Sequence, residues 1–417
     1  MSEFPFPFRR VHRLKPTDHR GDDTVSRLRV SAGAGDRTVL VPHASGLGYF
    51  VVPTRGEVRA VDGEGFRAET LGLLPSLWAR LRLSLLFKKK KYLKYDEFSL
   101  FSYGPKPRRK RFTTFNQHMV EVGAPLDGDL ISAHPELIDG WAAEETRPIG
   151  APRRAGPNAI AVVAHIYYEE TWPDIAGALA RLTIPFDLIV TTVPGRESLI
   201  EAIRRDFPEA EIEVMENRGR DVRPFLVLLE RGRLDRYRFV CKVHGKKSSG
   251  GGRKSYLGSL WRRRLLFDLL AAPGLAAGIV KLFNSDPTIG MIGPRAFRLP
   301  NKDYSEALSW SVNTERVSEL TGKMGVPAEN FRLDFFGGTM FWVRPEALAP
   351  LRRLKLSEAF PEEQGLIDGG LEHAVERLFG AAVTAAGYRL EDCDGSAAGG
   401  RDGGPRVGSR RAERAER

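Results

Sequence analysis

Between residues 159 and 243, four short apolar runs alternate with three helix-patterned segments, and that rhythm leaves few folds open. Ala159–Tyr168 is a nearly continuous apolar run, the pattern of a strand covered on both faces. The spacing then predicts a helix over Ile175–Leu182, a strand over Phe186–Val193 and a helix over Leu199–Phe207. A third strand over Glu211–Met215, a helix over Val222–Leu229 and a fourth strand over Arg238–Val243 follow. Strand–helix–strand units joined by right-handed crossovers build a parallel sheet with helices on both faces. The expectation is therefore an α/β, Rossmann-type, mainly parallel sheet over residues 155–392, with a smaller N-terminal region at 1–150. Ligands of such sheets bind beyond the carboxyl ends of the strands, so the informative residues should follow each strand.

A chain of 417 residues is long enough for one large core and a smaller one. Its formal net charge of +11 implies an anionic partner: nucleic acid, acidic lipid or a sugar nucleotide's diphosphate. Cys241 and Cys393 are its two cysteines, which excludes a disulfide framework and a thiol metal cluster and suggests a reducing compartment. Met1–Arg10 lacks the apolar stretch of a secretory signal, and no run approaches the roughly 20 apolar residues of a membrane span. A cytoplasmic protein is expected.

In the first 150 residues, Thr38–Val41 and Tyr49–Val52 read as short strands. Residues 71–111 are unusual. From Trp78 to Lys94 there are seven cations and no acid, interleaved with Trp, Leu and Phe, and Lys106–Arg111 adds a second basic cluster. That composition suits a helix in the headgroup region of an anionic leaflet, on the inner face of the cytoplasmic membrane. It equally suits a solvated basic helix beside a domain. Nucleic acid is the weaker reading, because the basic clusters lie in no recognisable nucleic-acid motif. Arg147–Pro157 reads as a linker and residues 396–417 as a disordered tail.

The strand ends carry the candidate site. After the first strand, His165 and Tyr167 offer rings that could stack on a base, or serve as ordinary strand-end residues. After the third stands Asn217-Arg218-Gly219-Arg220-Asp221. A tight turn followed by an Asp221 helix cap accounts for Asn217, Gly219 and Asp221. It leaves the two arginines, suited to phosphate, unexplained. Alternation puts Lys242 and His244 on one face of the fourth strand, where a buried lysine needs an anion. Lys246, Lys247 and the Ser248–Lys254 loop supply further cations, which a merely solvated basic loop would also do. Later, Gly338 permits close backbone approach to a ligand and Trp342 could stack on a sugar or simply pack. Asp368, before the helix-patterned Leu371–Phe379, could cap that helix or act as a general base.

Together these segments resemble the rhamnan synthesis protein F family of polysaccharide glycosyltransferases. The resemblance rests on Asn217 to Asp221, Lys242 to Ser248, Ile292-Gly293-Pro294, Gly338 to Trp342, and Asp368 through Glu376-Arg377-Leu378-Phe379, over roughly residues 158–390. The order is also similar to family 2 glycosyltransferases of the GT-A type. The resemblance implies a nucleotide-sugar donor, dTDP-rhamnose in the family's case. His165 and Tyr167 would lie near base and ribose, and Arg218 and Arg220 near the diphosphate. Asp368 would be the base, with inversion at the anomeric carbon. The implied acceptor is a growing, lipid-linked polysaccharide of rhamnan, O-antigen or capsule type. One departure stands out: where the GT-A group places Asp-x-Asp to hold a divalent metal, this chain has Lys242-Val243-His244. No metal or other cofactor is therefore expected; Lys242, His244, Lys246 and Lys247 are expected to supply that charge. A non-catalytic nucleotide- or carbohydrate-binding protein on the same fold is the alternative.

Overall fold

A computed structural model describes residues 10–17, 25–33, 35–54, 57–87, 92–95, 97–121, 134–141, 159–245, 247, 255–302, 304–327, 330–363, 365, 368–395 and 406–407. The chain divides into two compact units, Met1–Pro135 with Ser248–Leu260, and Glu136–Lys247 with Trp261–Arg417. The Arg147–Pro157 linker, Lys246 and the Ser248–Lys254 loop lie outside the described residues.

The first unit is mostly antiparallel β. Its strands are β1 (His12–Pro16), β2 (Val25–Ala32), β3 (Gly35–Pro42), β4 (Gly48–Pro53), β5 (Val58–Gly63), β6 (Phe66–Thr70), β7 (Tyr92–Lys94) and β8 (Phe98–Tyr103). They form sheets of order β6-β1-β4-β8-β7 and β3-β2-β5. Period-two alternation turns Leu28 and Val30 of β2 into a core shared with Val39, Val41, Tyr49, Val51 and Phe98. The two runs that read as strands fall in β3 and β4. Helices span Leu73–Phe87 and Lys106–Glu121. The second begins with the basic cluster and buries Phe112 in the same core, so its cations stand on a packed helix.

The second unit is α/β. Its strands are β9 (Ala159–Ile166), β10 (Asp187–Thr192), β11 (Glu211–Val214), β12 (Tyr237–His244), β13 (Ile289–Pro294), β14 (Arg298–Leu299), β15 (Phe335–Phe336), β16 (Phe341–Val343), β17 (Arg389–Asp394) and β18 (Arg406–Val407). The main sheet has the order β11-β10-β9-β12-β16-β13-β17-β18. Neighbours run parallel from β11 through β12 and between β13 and β17. The mainly parallel α/β sheet expected from the alternation is present. β9 is apolar throughout because both faces are covered: Ala161, Val162, Val163 and Ala164 are all buried. β18 falls within the stretch expected to be a disordered tail; it pairs with β17, and the remainder of 396–417 lies outside the described residues.

Two features of this sheet position the site. The strand order reverses between β9 and β12, the kind of switch point beyond whose carboxyl ends ligands of such sheets bind. In addition, β16 is inserted antiparallel between β12 and β13. An antiparallel strand begins where its parallel neighbours end, so the turn before Phe341 arrives at the carboxyl end of β12, with Phe341 opposite Lys242.

Among the described residues no single helix is long and apolar enough to cross a membrane. The bent pair Gly258–Ala271 and Leu275–Ser285 reaches that composition jointly, and its Leu265, Phe267, Leu269 and Ile279 are buried.

Candidate functional site

Lys242 is 1% exposed, in the middle of an apolar core. An isolated ammonium there would cost several kcal/mol. Its three donor positions are all taken. Nζ donates to Asp221 Oδ2 at 2.6 Å, to the Thr339 carbonyl at 2.9 Å and to Thr339 Oγ1 at 3.2 Å. The rings of Phe225 and Phe379 lie 5.7 and 6.0 Å from the charge, each near the limit of cation–π range. The expectation that Lys242 meets an external diphosphate is thus corrected: its anion is the protein's own Asp221. Asp221 is corrected with it. It precedes the helix Val222–Glu230 but makes no side-chain cap, because its carboxylate is engaged by Lys242 and by the Thr339 hydroxyl at 2.5 Å. Burial works to raise the Asp221 carboxyl. The charges of His244 and Lys242, and hydrogen bonds from Lys242 and Thr339, outweigh it and hold the group well below the carboxylate range.

Around this pair sit the ends of β9, β12 and the turn before β16. His244 Nε2 is 2.8 Å from the Gly338 carbonyl and 3.8 Å from Asp221 Oδ2. His165 stands beside it in register on β9, 7% exposed, with Nδ1 3.0 Å from Thr191 Oγ1. Burial pushes the His165 imidazole down to about 4, so it is neutral at pH 7. A ring so enclosed does not offer a face for stacking; Tyr167, two residues on, is half-buried with the Arg196 guanidinium 5.3 Å from its ring. Gly338 takes φ +90, and its N–H donates to Glu376 Oε1 at 2.6 Å. Trp342 is fully buried and donates Nε1–H to the Leu269 carbonyl at 3.0 Å, so it packs and does not stack on a sugar. That corrects the second of the two sequence candidates for acceptor binding.

Backbone strain gathers here. Thr339 (φ 52) and Arg220 (φ 53) are two of four non-glycine residues with positive φ among the described residues, and both touch the Lys242–Asp221 neighbourhood. Such conformations persist only where the surroundings impose them, and they concentrate at functional sites. Gly219 precedes Arg220 at φ 61, and a Cβ there would lie 2.3 Å from Phe360 Cδ1 and 2.8 Å from Arg223 Cβ. Gly219→Ala is therefore expected to destabilise the second unit by about 1–3 kcal/mol, read as a lower denaturation midpoint at unchanged slope. An unchanged midpoint would show that the turn relaxes freely.

The cations of the turn point toward the last candidate. Arg218 donates to the Phe360 carbonyl and lies 3.5 Å from Glu216 Oε2. Arg220 lies 3.4 Å from both Glu363 carboxylate oxygens and 3.9 Å from Glu372 Oε1. Its Nη1 is also 3.3 Å from His373 Nε2. Asn217 is exposed. His373 Nδ1 stands 3.9 Å from Asp368 Oδ1, so the turn and Asp368 share one edge of the unit. Asp368 is not a helix cap, since Gly370 holds that position for Leu371–Ala385. Its Oδ1 accepts from Asn313 Nδ2 at 2.9 Å and from the Gly369 N–H at 2.7 Å. Burial alone raises this carboxyl; hydrogen bonds from Asn313, Ser311 and Gly369 bring it below its ordinary value, so it is ionised at neutral pH.

Lys247 is paired with Glu170, and its ammonium lies 5.0 Å from the Tyr168 ring; this pair joins the loops after β9 and β12. Sequence reasoning passed over Thr339, which carries two of the three contacts to Lys242, and Asn313, which holds Asp368 from 55 residues away. Thr339 sat unremarked inside a motif already singled out; no local signal marks Asn313. Among the described residues, no three His, Cys, Asp or Glu side chains group as metal ligands would.

Residues 145–388 match the family described as rhamnan synthesis protein F. The "Uncharacterized protein WxcX" of two strains of Xanthomonas campestris pv. campestris, B100 and ATCC 33913, is similar over 270 residues at 34% identity. The match covers 64% of this chain and 37% of each relative, so the chain spans little more than a third of the length of these proteins. The matched segment takes in β9 through the helix Leu371–Ala385 and every residue of the site described above, and on that ground the chain belongs to the rhamnan synthesis protein F family.

Proposed function

We propose that the second unit is a GT-A-type, nucleotide-sugar-dependent glycosyltransferase that adds a sugar, rhamnose by family, to a growing cell-surface polysaccharide with inversion. The observation that carries this reading is an ionised carboxylate, Asp368, held near a cationic turn at the carboxyl edge of a parallel sheet. Family membership supports the pathway, rhamnan synthesis. In the proposed step Asp368 accepts the proton of an acceptor hydroxyl. The hydroxyl oxygen bonds to the anomeric carbon as the bond from that carbon to the diphosphate breaks, and the nucleoside diphosphate leaves with its electron pair.

The leaving diphosphate needs positive charge. Arg220 is the best-placed donor: its side chain is 37% exposed and its Glu363 contacts are long, so phosphate oxygens can displace them. Arg218, Lys246 and Lys247 supplement it. Lys242 acts one layer deeper, fixing Asp221, Thr339 and so the Gly338 turn. On the GT-A reading, an ammonium and an imidazole would stand in the place where a divalent ion requires paired carboxylates. With purified chain, a nucleotide sugar and a polysaccharide acceptor, transfer is expected to persist in excess EDTA. Strict dependence on manganese or magnesium would overturn the metal-free part of the proposal. Donor binding without transfer to any acceptor would favour a binding protein on the same fold.

A further inference from the structure

The helix Leu73–Phe87 is turned inside out over its described side chains, Leu73–Leu81. Its buried side is made by Ser76, fully enclosed and bonded to the Leu71 carbonyl and the Val11 N–H, and by Ala79, packed on the small core of Val11, Val52, Leu71 and Phe101. Its outer side carries Leu73, Leu74, Leu77, Trp78 and Leu81 at 53, 75, 43, 75 and 59% exposure. At about 100° per residue these five occupy one arc of roughly 140°. Five large apolar side chains in one exposed row are far from the scattered singles of an ordinary surface.

What covers them is indicated by charge. The sequence that contains and follows this row, from Trp78 to Lys94, has seven cations and no acid, four of them the consecutive Lys88–Lys91. A protein interface of that area would normally deplete lysine. A nucleic acid would use the cations and leave the leucines in water. An exposed apolar row with Trp78 at its margin, in a sequence that goes on to a lysine run, has the two chemistries of an anionic leaflet, apolar side chains for the acyl region and cations for the headgroups. We propose that this helix seats the chain on the surface of a bilayer rich in anionic lipid, Leu74 and Trp78 entering the acyl boundary. This docking is independent of the proposed transferase chemistry.

Sedimentation of the full chain with phosphatidylcholine vesicles, with and without a third of phosphatidylglycerol, tests it. The chain is expected to pellet with the anionic vesicles, to stay in solution with the neutral ones, and to be released by raised salt. Leu74→Ser with Trp78→Ser should lower partition about tenfold or more, because two large apolar contacts are lost. Its melting temperature should not change, since both side chains are exposed. Replacing Lys88–Lys91 by glutamine should remove the preference for anionic lipid. Failure of the wild-type chain to pellet, equal partition by the serine variant, or a substitution that dissolves a dimer while leaving lipid partition alone would each overturn the assignment. So would retention of the chain by duplex DNA in place of vesicles.

Discussion

Lys242→Met is expected to destabilise the second unit by about 3–5 kcal/mol, the usual consequence of leaving one member of a buried ion pair without its partner. Methionine roughly fills the volume of the lysine stem, so the loss comes from Asp221, stranded with the Thr339 hydroxyl and the nearby His244. Equilibrium urea unfolding measures it directly; a loss under about 1 kcal/mol would mean that water reaches Asp221 freely. Adding Asp221→Asn to Lys242→Met should recover part of the deficit, since a neutral amide needs no counter-charge. The pH dependence gives a further check. In the wild type the folded carboxyl lies below its unfolded value. The pair's contribution is therefore complete above about pH 4 and disappears as pH falls toward the lower folded value. In Lys242→Met the lysine charge and its hydrogen bond are gone, so the carboxyl lies higher than in the wild type, with His244 and Thr339 still holding it down. That variant should lose less stability than the wild type as acid neutralises Asp221, so the two curves converge at low pH.

Asp368→Asn is expected to lower kcat by about 10²–10⁴-fold while leaving donor binding intact. The amide keeps an oxygen where Asn313 and the Gly369 N–H donate, so the loop should hold its shape. What disappears is the ability to take a proton. Single-turnover transfer and a thermal shift with the donor separate the two effects. Because hydrogen bonding keeps Asp368 below its ordinary pKa, wild-type activity should survive mild acid and fall only beneath the usual carboxylate range. Turnover unchanged in the variant would remove Asp368 as the base and direct attention to Glu363 or Glu372, the carboxylates nearest Arg220.

The α/β unit was readable because strands enclosed on both faces must be apolar for their whole length. The four runs seen in the sequence correspond to β9–β12 to within a few residues. What could not be read is pairing across the chain. Alternation places Lys242 and His244 on one face of β12, and the buried lysine does meet an anion. Nothing local says that this anion is Asp221, or that Thr339 comes from 97 residues away to complete the set. Trp342 was misread for the same reason. A tryptophan in a short motif looks alike whether it faces a ligand or an interior carbonyl, and only the position of Leu269 distinguishes them. The helix Leu73–Phe87 was legible in composition and opaque in direction. Its composition suits a helix on an anionic leaflet and a solvated basic helix alike until the unit that it packs on is known.

The insertion of β16 has a consequence for how the molecule is made. As the ribosome releases β9 through β12, the central strand already carries an ammonium whose carbonyl and hydroxyl partners have not yet been synthesised. Asp221 is already present, but the two other contacts of Lys242 form only once the polypeptide has passed Val343 and that late segment lies between β12 and β13. Nascent chains arrested short of residue 341 should stay open and prone to proteolysis, then become resistant together once β16 is available, because pairing so distant in sequence forms late and all at once.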